Sequence, residues 1–200
     1  ILLVAAAMLV WLAGANTSSA DVNKLVEGCA DCHGKDGVST EPEIPTIAGF
    51  SAVYTIDSMV AYKAKERPCV ETKYPDGPNK GKATDMCKLA GELSKGDIEA
   101  LGEHYEGKKF VPAKQKFDAA KVQQGEKIHS ASCEKCHEDG GTSAADDAGF
   151  LAGQWMPYLK RTFEQYAAGK RSQPEKMKPK MDKLSKDDID ALLNYYASLQ

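Results

Sequence analysis

The sequence predicts an all-α protein that consists of two tandem helical domains. Three observations lead to this prediction: an internal repeat, apolar residues that recur every three or four positions, and serines that precede a carboxylate by three positions. No stretch alternates between apolar and polar residues in the way that predicts a sheet. The 200 residues suffice for two domains of roughly 90 residues each, a size whose small core needs further stabilisation.

The repeat is clearest at two cysteine motifs. Residues 29–33 read Cys-Ala-Asp-Cys-His and residues 133–137 read Cys-Glu-Lys-Cys-His, at an offset of 104 residues. The same offset aligns three further pairs: Tyr54 with Tyr158, Tyr62 with Tyr166, and Arg67 with Arg171. Beyond these the offset falls to 91, which aligns Met86 with Met177 and Ser94 with Ser185. The chain therefore holds two copies of one unit, and the difference between 104 and 91 leaves 13 extra residues in the first copy.

This repeat sets the predicted domains. Residues 21–112 form the first, which we call unit 1, and residues 113–200 form the second, unit 2; the extra residues of unit 1 lie in an insertion at 68–85 that is rich in proline and glycine. Each unit is predicted to have a first helix before its cysteine motif, a middle helix, and a last helix that a serine caps. The predicted helices cover 21–28, 51–65 and 94–107 in unit 1, and 118–132, 156–168 and 185–199 in unit 2.

The N-terminal segment 1–20 differs from the rest of the chain. Residues 1–15 are uncharged and almost wholly apolar, and Ser18 and Ala20 are small residues with the spacing of a cleavage site. The segment is predicted to be either a secretory signal or a retained membrane anchor. Either role predicts export, so we expect a periplasmic protein that a retained segment would anchor to the inner membrane.

The charge excludes one class of partner. The formal net charge is −3, from 26 basic and 29 acidic residues, so the chain lacks the basic surface that nucleic acids require. Residues 21–112 hold 12 basic and 16 acidic residues, whereas residues 113–200 hold 14 and 13. This asymmetry orients a protein partner or is ordinary solvated surface, and the sequence leaves both interpretations open.

The two Cys-x-x-Cys-His motifs predict covalently bound haem c, one group in each unit. The thiols of Cys29 and Cys32 in unit 1, and of Cys133 and Cys136 in unit 2, have the spacing that meets the two vinyl groups of a porphyrin, and His33 and His137 follow as iron ligands. A zinc site would need four converging ligands and leaves the repeated histidine unexplained. A redox dithiol normally follows a strand of a βαβ unit, and no such unit is predicted.

The sixth iron ligand is predicted to be a methionine. Met86 and Met177 hold equivalent positions, each seven residues before a leucine, and a thioether ligand suits an electron-transfer haem. Methionine is more often a core residue, but the equivalence of these two positions favours ligation. Met181 is the rival in unit 2, although its counterpart in unit 1 is Ala90.

Cys69 and Cys87 stand outside the motifs, in or beside the insertion. In an oxidising compartment they are predicted to form a disulfide that also restrains Met86; a free thiol or an iron ligand at Cys87 is the alternative. His104 and His129 lack counterparts and are predicted to be surface or packing residues.

Two further predictions concern neighbours of the haems. Trp155, Tyr54 and Tyr158 are predicted to pack against haem edges or between the units, or to be plain core. The carbonyl of Pro45 is predicted to accept a hydrogen bond from His33.

At the level of families, the sequence resembles the tandem class I dihaem cytochromes c, and in particular the cytochrome subunit of flavocytochrome c sulfide dehydrogenase. The resemblance is carried by residues 112–118, 133–137, 151–155 and 196–198. It implies two cytochrome c folds related by pseudo-twofold symmetry, with His/Met-ligated irons close to the interface. The insertion with Cys69 and Cys87, and an anchor if one is retained, depart from that subunit.

Three functions follow as hypotheses. The first is an electron carrier between a quinol-oxidising complex or a dehydrogenase and a terminal oxidase or reductase, which is not itself an enzyme. The second is the electron-accepting subunit of a sulfide-oxidising flavoprotein dehydrogenase; the chain lacks a Gly-x-Gly-x-x-Gly fingerprint and would not hold the flavin itself. The third is a catalytic haem protein such as a peroxidase, which requires an iron without its methionine.

Overall fold

The computed structural model describes residues 21–144 and 147–200. The predicted signal or anchor at 1–20 lies outside the described residues. Unit 1 contains α1 (Val22–His33), a 3₁₀ turn (Lys35–Gly37), α2 (Ala52–Lys63), β1 (Thr72–Lys73), β2 (Ala83–Thr84), α3 (Met86–Gly91) and α4 (Lys95–Glu106). Unit 2 contains α5 (Ala119–Ser132), α6 (Glu138–Gly141), α7 (Met156–Ala167), α8 (Lys178–Met181) and α9 (Lys186–Ser198). No helix in 21–144 or 147–200 is long and apolar enough to cross a membrane.

The helical prediction is confirmed, with two corrections. Helix α1 continues through the cysteine motif to His33 instead of ending at residue 28. The insertion contains a short antiparallel hairpin in which Thr72 pairs with Thr84 and Lys73 with Ala83. Strands of two residues are too short to show a period-2 pattern, so no pattern in the sequence predicts them.

The capping signals operate as predicted. The side chain of Ser94 accepts a hydrogen bond from the backbone N–H of Asp97, whose carboxylate accepts one from the N–H of Ser94. Ser185 and Asp188 form the same reciprocal pair at the start of α9. Both pairs satisfy backbone donors that the first helical turn leaves unpaired.

Each unit has a small helical core. In unit 1, α4 packs against α1 and α2; in unit 2, α9 packs against α5 and α7. Leu159, Leu192 and Tyr196 are almost wholly buried in the core of unit 2. Helices α5 and α9 approach so closely that a Cβ on Gly125 would lie 2.2 Å from the carbonyl oxygen of Ala191. This glycine therefore sets the distance between the two helices.

The two units meet through a pseudo-twofold interface. The backbone N–H of Thr46 donates to the side-chain oxygen of Gln154 at 2.9 Å, and the amide of Gln154 donates to the Thr46 carbonyl at 2.8 Å. The rings of Phe50 and Phe150 lie 5.4 Å apart across the same interface. By the offset of 104, Thr46 corresponds to Phe150 and Phe50 corresponds to Gln154. The two contacts are therefore images of each other under the pseudosymmetry.

Other contacts strengthen this interface. The indole N–H of Trp155 donates to the carbonyl of Ser39 at 3.0 Å, so this side chain lies between the units. Arg161 donates to the carbonyl of Glu43 at 2.6 Å and also pairs with its carboxylate. Hydrogen bonds and an ion pair thus join the loop after the first cysteine motif to the start of α7.

Candidate functional site

A cavity of about 620 Å³ lies in unit 1. Its lining includes all four residues that the sequence assigns to the first haem: Cys29, Cys32, His33 and Met86. Helix α1 presents the cysteines and the histidine, and the start of α3 presents the methionine. The volume falls within the range of pockets that bind a cofactor-sized molecule.

The histidine of this cavity is held in a defined orientation. Nδ1 of His33 lies 2.8 Å from the carbonyl oxygen of Pro45, as the sequence predicts. Burial lowers the pKa of His33, while the hydrogen bond to Pro45 acts in the opposite direction. A neutral imidazole that donates through Nδ1 leaves Nε2 as the nitrogen for a metal, which is the usual arrangement of a metal-bound histidine.

Arginines and tyrosines of both units converge beside the cavity. Arg67 lies over the ring of Tyr62, with 4.3 Å between the guanidinium carbon and the ring centroid, and Arg171 lies 4.7 Å over its equivalent, Tyr166. Arg67 also hydrogen-bonds Tyr158 of unit 2. The tyrosine that corresponds to it, Tyr54 of unit 1, hydrogen-bonds Arg171. Each arginine therefore pairs with a tyrosine of the other unit, as the pseudosymmetry requires.

The two buried arginines of this cluster show whether a haem fits the cavity of unit 1. Arg67 and Arg171 are only 8% and 7% exposed, and among the described residues neither forms an ion pair with a carboxylate. Nε of Arg67, which lines the cavity, is buried without a hydrogen-bond partner. Buried cations require an anionic partner, and a haem carries two carboxylates. The polar end of the cavity therefore fits this cofactor as well as its apolar lining does.

The thiols of the first motif lie in a buried environment. Burial raises the pKa of Cys29, while neighbouring Tyr105 acts on it in the opposite direction. Burial also raises the pKa of Cys32, to about 11. In unit 2, burial likewise raises the pKa of Cys133, and Tyr196, the counterpart of Tyr105, acts on it in the opposite direction. The corresponding environments support an equivalent role for the two motifs.

The residues predicted to hold the second haem lie in the corresponding segments of unit 2. His137 is the residue before the short helix α6, and Cys136 is exposed to solvent. Met177 is the residue before α8, and Met181, the last residue of α8, packs against the buried core of unit 2. This packing gives Met181 a structural role, and ligation by Met177 stays a prediction.

His129 lies in a buried network that the sequence did not predict in detail. Its ring is fully buried, with Nδ1 2.9 Å from the hydroxyl of Tyr196 and Nε2 2.6 Å from a carboxylate oxygen of Glu134. The packing role predicted for this residue is thus correct. Its partner Tyr196 lies 67 positions further along the chain, a distance over which the sequence carries no signal.

Cys69 and Cys87 form a disulfide, with an S–S distance of 1.99 Å. The bond closes the base of the insertion and joins it to α3, immediately after Met86. The segment that carries the methionine is therefore tied to the chain just after Arg67.

Comparisons with known proteins identify relatives of this chain. The family model for the cytochrome c oxidase cbb3-type subunit III matches residues 120–195. Cytochrome c4 of Stutzerimonas stutzeri is 29% identical over 184 residues, which cover 86% of this chain and 84% of that protein. Cytochrome c-554(548) of Halomonas halodenitrificans is 35% identical over 78 residues, which cover 38% of this chain and 80% of that protein.

A solved structure shows the same architecture. Reduced recombinant cytochrome c4 from Pseudomonas stutzeri superposes with a TM-score of 0.73 at 26% identity, covering 90% of this chain and 97% of that chain. The prediction of an all-α fold with two cytochrome c domains is confirmed. The finer resemblance to a sulfide dehydrogenase subunit stays a prediction. Its cofactors are two covalently bound haem c groups, and its role is electron transport. The chain belongs to the class I cytochrome c family, as a dihaem member similar to cytochrome c4.

Proposed function

We propose that the protein carries electrons in the periplasm between a donor complex and a terminal acceptor. Residues 21–112 and 113–200 would be its two haem-binding domains. The observation that carries this proposal is the cavity of unit 1, which brings both thiols of a Cys-x-x-Cys-His motif together with its histidine and Met86. The donor would be a quinol-oxidising complex or a dehydrogenase, and the acceptor an oxidase or reductase.

Each predicted site residue has one task in this proposal. Cys29 and Cys32 in unit 1, and Cys133 and Cys136 in unit 2, would attach the haems; His33 with Met86, and His137 with Met177, would bind the irons. Haem iron supplies one-electron oxidation and reduction. The Pro45 carbonyl keeps the ring of His33 oriented. The buried Arg67 and Arg171 would compensate the negative charge of the haem carboxylates.

With both a histidine and a methionine bound, each iron would have no free position for a substrate, which would separate a carrier from a peroxidase. The test is to add cyanide or carbon monoxide to the native protein. We expect neither ligand to bind rapidly without denaturant. Rapid binding to either haem would contradict the assignment of two methionine ligands.

The choice of Met177 over Met181 has its own test. Met177→Ala should abolish the weak sulfur-to-iron absorption band of the second haem and lower its reduction potential, because it removes a soft neutral ligand. Met181→Ala is the matched control and should retain the band, since Met181 packs against the core. The opposite pattern would show that Met181 is the ligand.

Membership of a flavin-containing sulfide dehydrogenase is the alternative. It is favoured by the sequence resemblance in residues 112–118 and 151–155. Gentle purification from the native source distinguishes the two: a flavin-containing chain that copurifies would favour the enzyme subunit, and purification without flavin would favour the free carrier.

A further inference from the structure

The insertion of unit 1 lies across one edge of the haem cavity. Residues of the hairpin and its flanks, among them Val70, Tyr74 and Asn79, line the cavity beside Met86. At the hairpin tip, a Cβ on Gly77 would lie 2.0 Å from the carboxylate of Asp31, which is inside the first cysteine motif. The hairpin therefore extends from the methionine segment to the cysteine segment and covers the edge between them.

The two cysteine motifs differ in exposure accordingly. Cys32 in unit 1 is only 8% exposed, whereas its counterpart Cys136 in unit 2 is exposed. Unit 2 lacks the 13 extra residues that form this cover in unit 1. The same edge is thus closed in unit 1 and open in unit 2.

Two pairs of equivalent positions at the two edges carry opposite charges. Lys135, inside the second motif, corresponds to Asp31 in the first. In the methionine segments, Lys176 corresponds to Asp85. Residues 176–183 contain four lysines and one aspartate, whereas residues 85–92 contain one lysine, one aspartate and one glutamate. Lys135, Lys176 and Lys183 are all exposed.

We propose that the hairpin of residues 70–84 closes unit 1 to redox partners, so that an acidic redox protein exchanges electrons with this cytochrome at the lysine-lined edge of unit 2. Electron transfer needs close approach of the partner to an exposed cofactor edge, and complementary charges accelerate that approach. The proposal rests on the proposed electron-carrier function and adds to it the route of electrons and the chemistry of the partner.

Two small oxidants of opposite charge test the lysine-lined edge. Each hexacyanoferrate(III) anion accepts one electron from one reduced haem and becomes hexacyanoferrate(II). Each tris(phenanthroline)cobalt(III) cation likewise accepts one electron from one reduced haem and becomes the cobalt(II) complex. The double variant K176E/K183E should react about tenfold more slowly with the anion at low ionic strength and faster with the cation. Both effects should disappear at high ionic strength.

The matched control changes the same charge in unit 1. K88E/K95E also replaces two exposed lysines by glutamates, and both positions lie in or near the methionine segment of that unit. Its rate with hexacyanoferrate(III) should stay close to that of the unmodified protein. A loss in this control equal to that of K176E/K183E would overturn the assignment to unit 2.

The hairpin is tested by Gly77→Leu. Gly77 has a φ of +74° and no room for a side chain against Asp31, so the substitution should displace the hairpin tip from the cysteine motif. Displacement exposes an acidic edge, and the rate with the cationic cobalt complex should rise several-fold. A second variant, which shortens the insertion by 13 residues to the length of unit 2 and carries C69S/C87S, should show the same rise.

An unmodified protein that already reacts with the cation as fast as Gly77→Leu would overturn the closure of unit 1. Failure of the proposed function has a different signature. It would appear as missing haem mass or as rapid cyanide binding in the unmodified protein, before any variant is compared.

Discussion

Replacing Gln154 with alanine tests how strongly the two units are joined. The side chain is fully buried and hydrogen-bonds both backbone groups of Thr46, which is itself only 1% exposed. Alanine leaves one buried N–H and one buried carbonyl without their partner. Each such group costs about 1–3 kcal/mol, so the free energy of unfolding should fall by roughly 3 kcal/mol.

Urea denaturation of the haem-loaded protein measures this loss, with far-ultraviolet circular dichroism and haem absorbance as two probes. Separation of the two transitions would indicate that the units have become independent. Gln124→Ala is the control, because Gln124 is exposed and makes only a 3.5 Å contact with Asp188; its effect should stay within about 0.5 kcal/mol. A similarly small loss for Gln154→Ala would refute the reasoning.

Two further predictions concern unit 2. Gly125→Ala should destabilise the protein by about 3 kcal/mol or more, because its Cβ would overlap the backbone of α9 at Ala191. The control is Gly91→Ala in the same denaturation assay: Gly91 is a helical glycine whose Cβ would meet nothing within 4 Å, so this variant should be neutral or slightly stabilising. Hydrogen bonds from Ser185, first its side chain and then its backbone, lower the pKa of Asp188 from the model-compound value of 3.8. This stabilisation is present above that value and is lost as the pH falls through the lower pKa of the folded state. Asp188→Asn should therefore reduce the slope of stability against pH in this acid range, and an unchanged slope would contradict the assignment.

Much of the fold could be predicted because local signals and the repeat agree. The serine-carboxylate pairs at Ser94 and Ser185 act within one helical turn, so their geometry is determined by adjacent sequence. The hydrogen bond from His33 to Pro45 was predictable because metal-bound histidines commonly use a nearby carbonyl. The disulfide followed from two cysteines present in only one copy of the repeat.

The interface could not be predicted in the same way. Gln154 corresponds by the repeat to Phe50, so the comparison of the two copies gives no reason to expect a buried amide there. Its partner Thr46 lies 108 positions away, and the contact exists only once the units pack. The hairpin was missed for a different reason: its strands are defined by pairing across a turn and not by any apolar pattern.

The contacts of Thr46 with Gln154 and of Phe50 with Phe150 determine which domains associate. Two copies of unit 1 in this arrangement would bring Thr46 against Phe50, leaving backbone groups of Thr46 without the amide that satisfies them. Two copies of unit 2 would press the amide of Gln154 against the ring of Phe150 and bury it without a partner. Only the mixed pair fulfils both requirements, so these side chains favour the association of unit 1 with unit 2 over the association of two identical units.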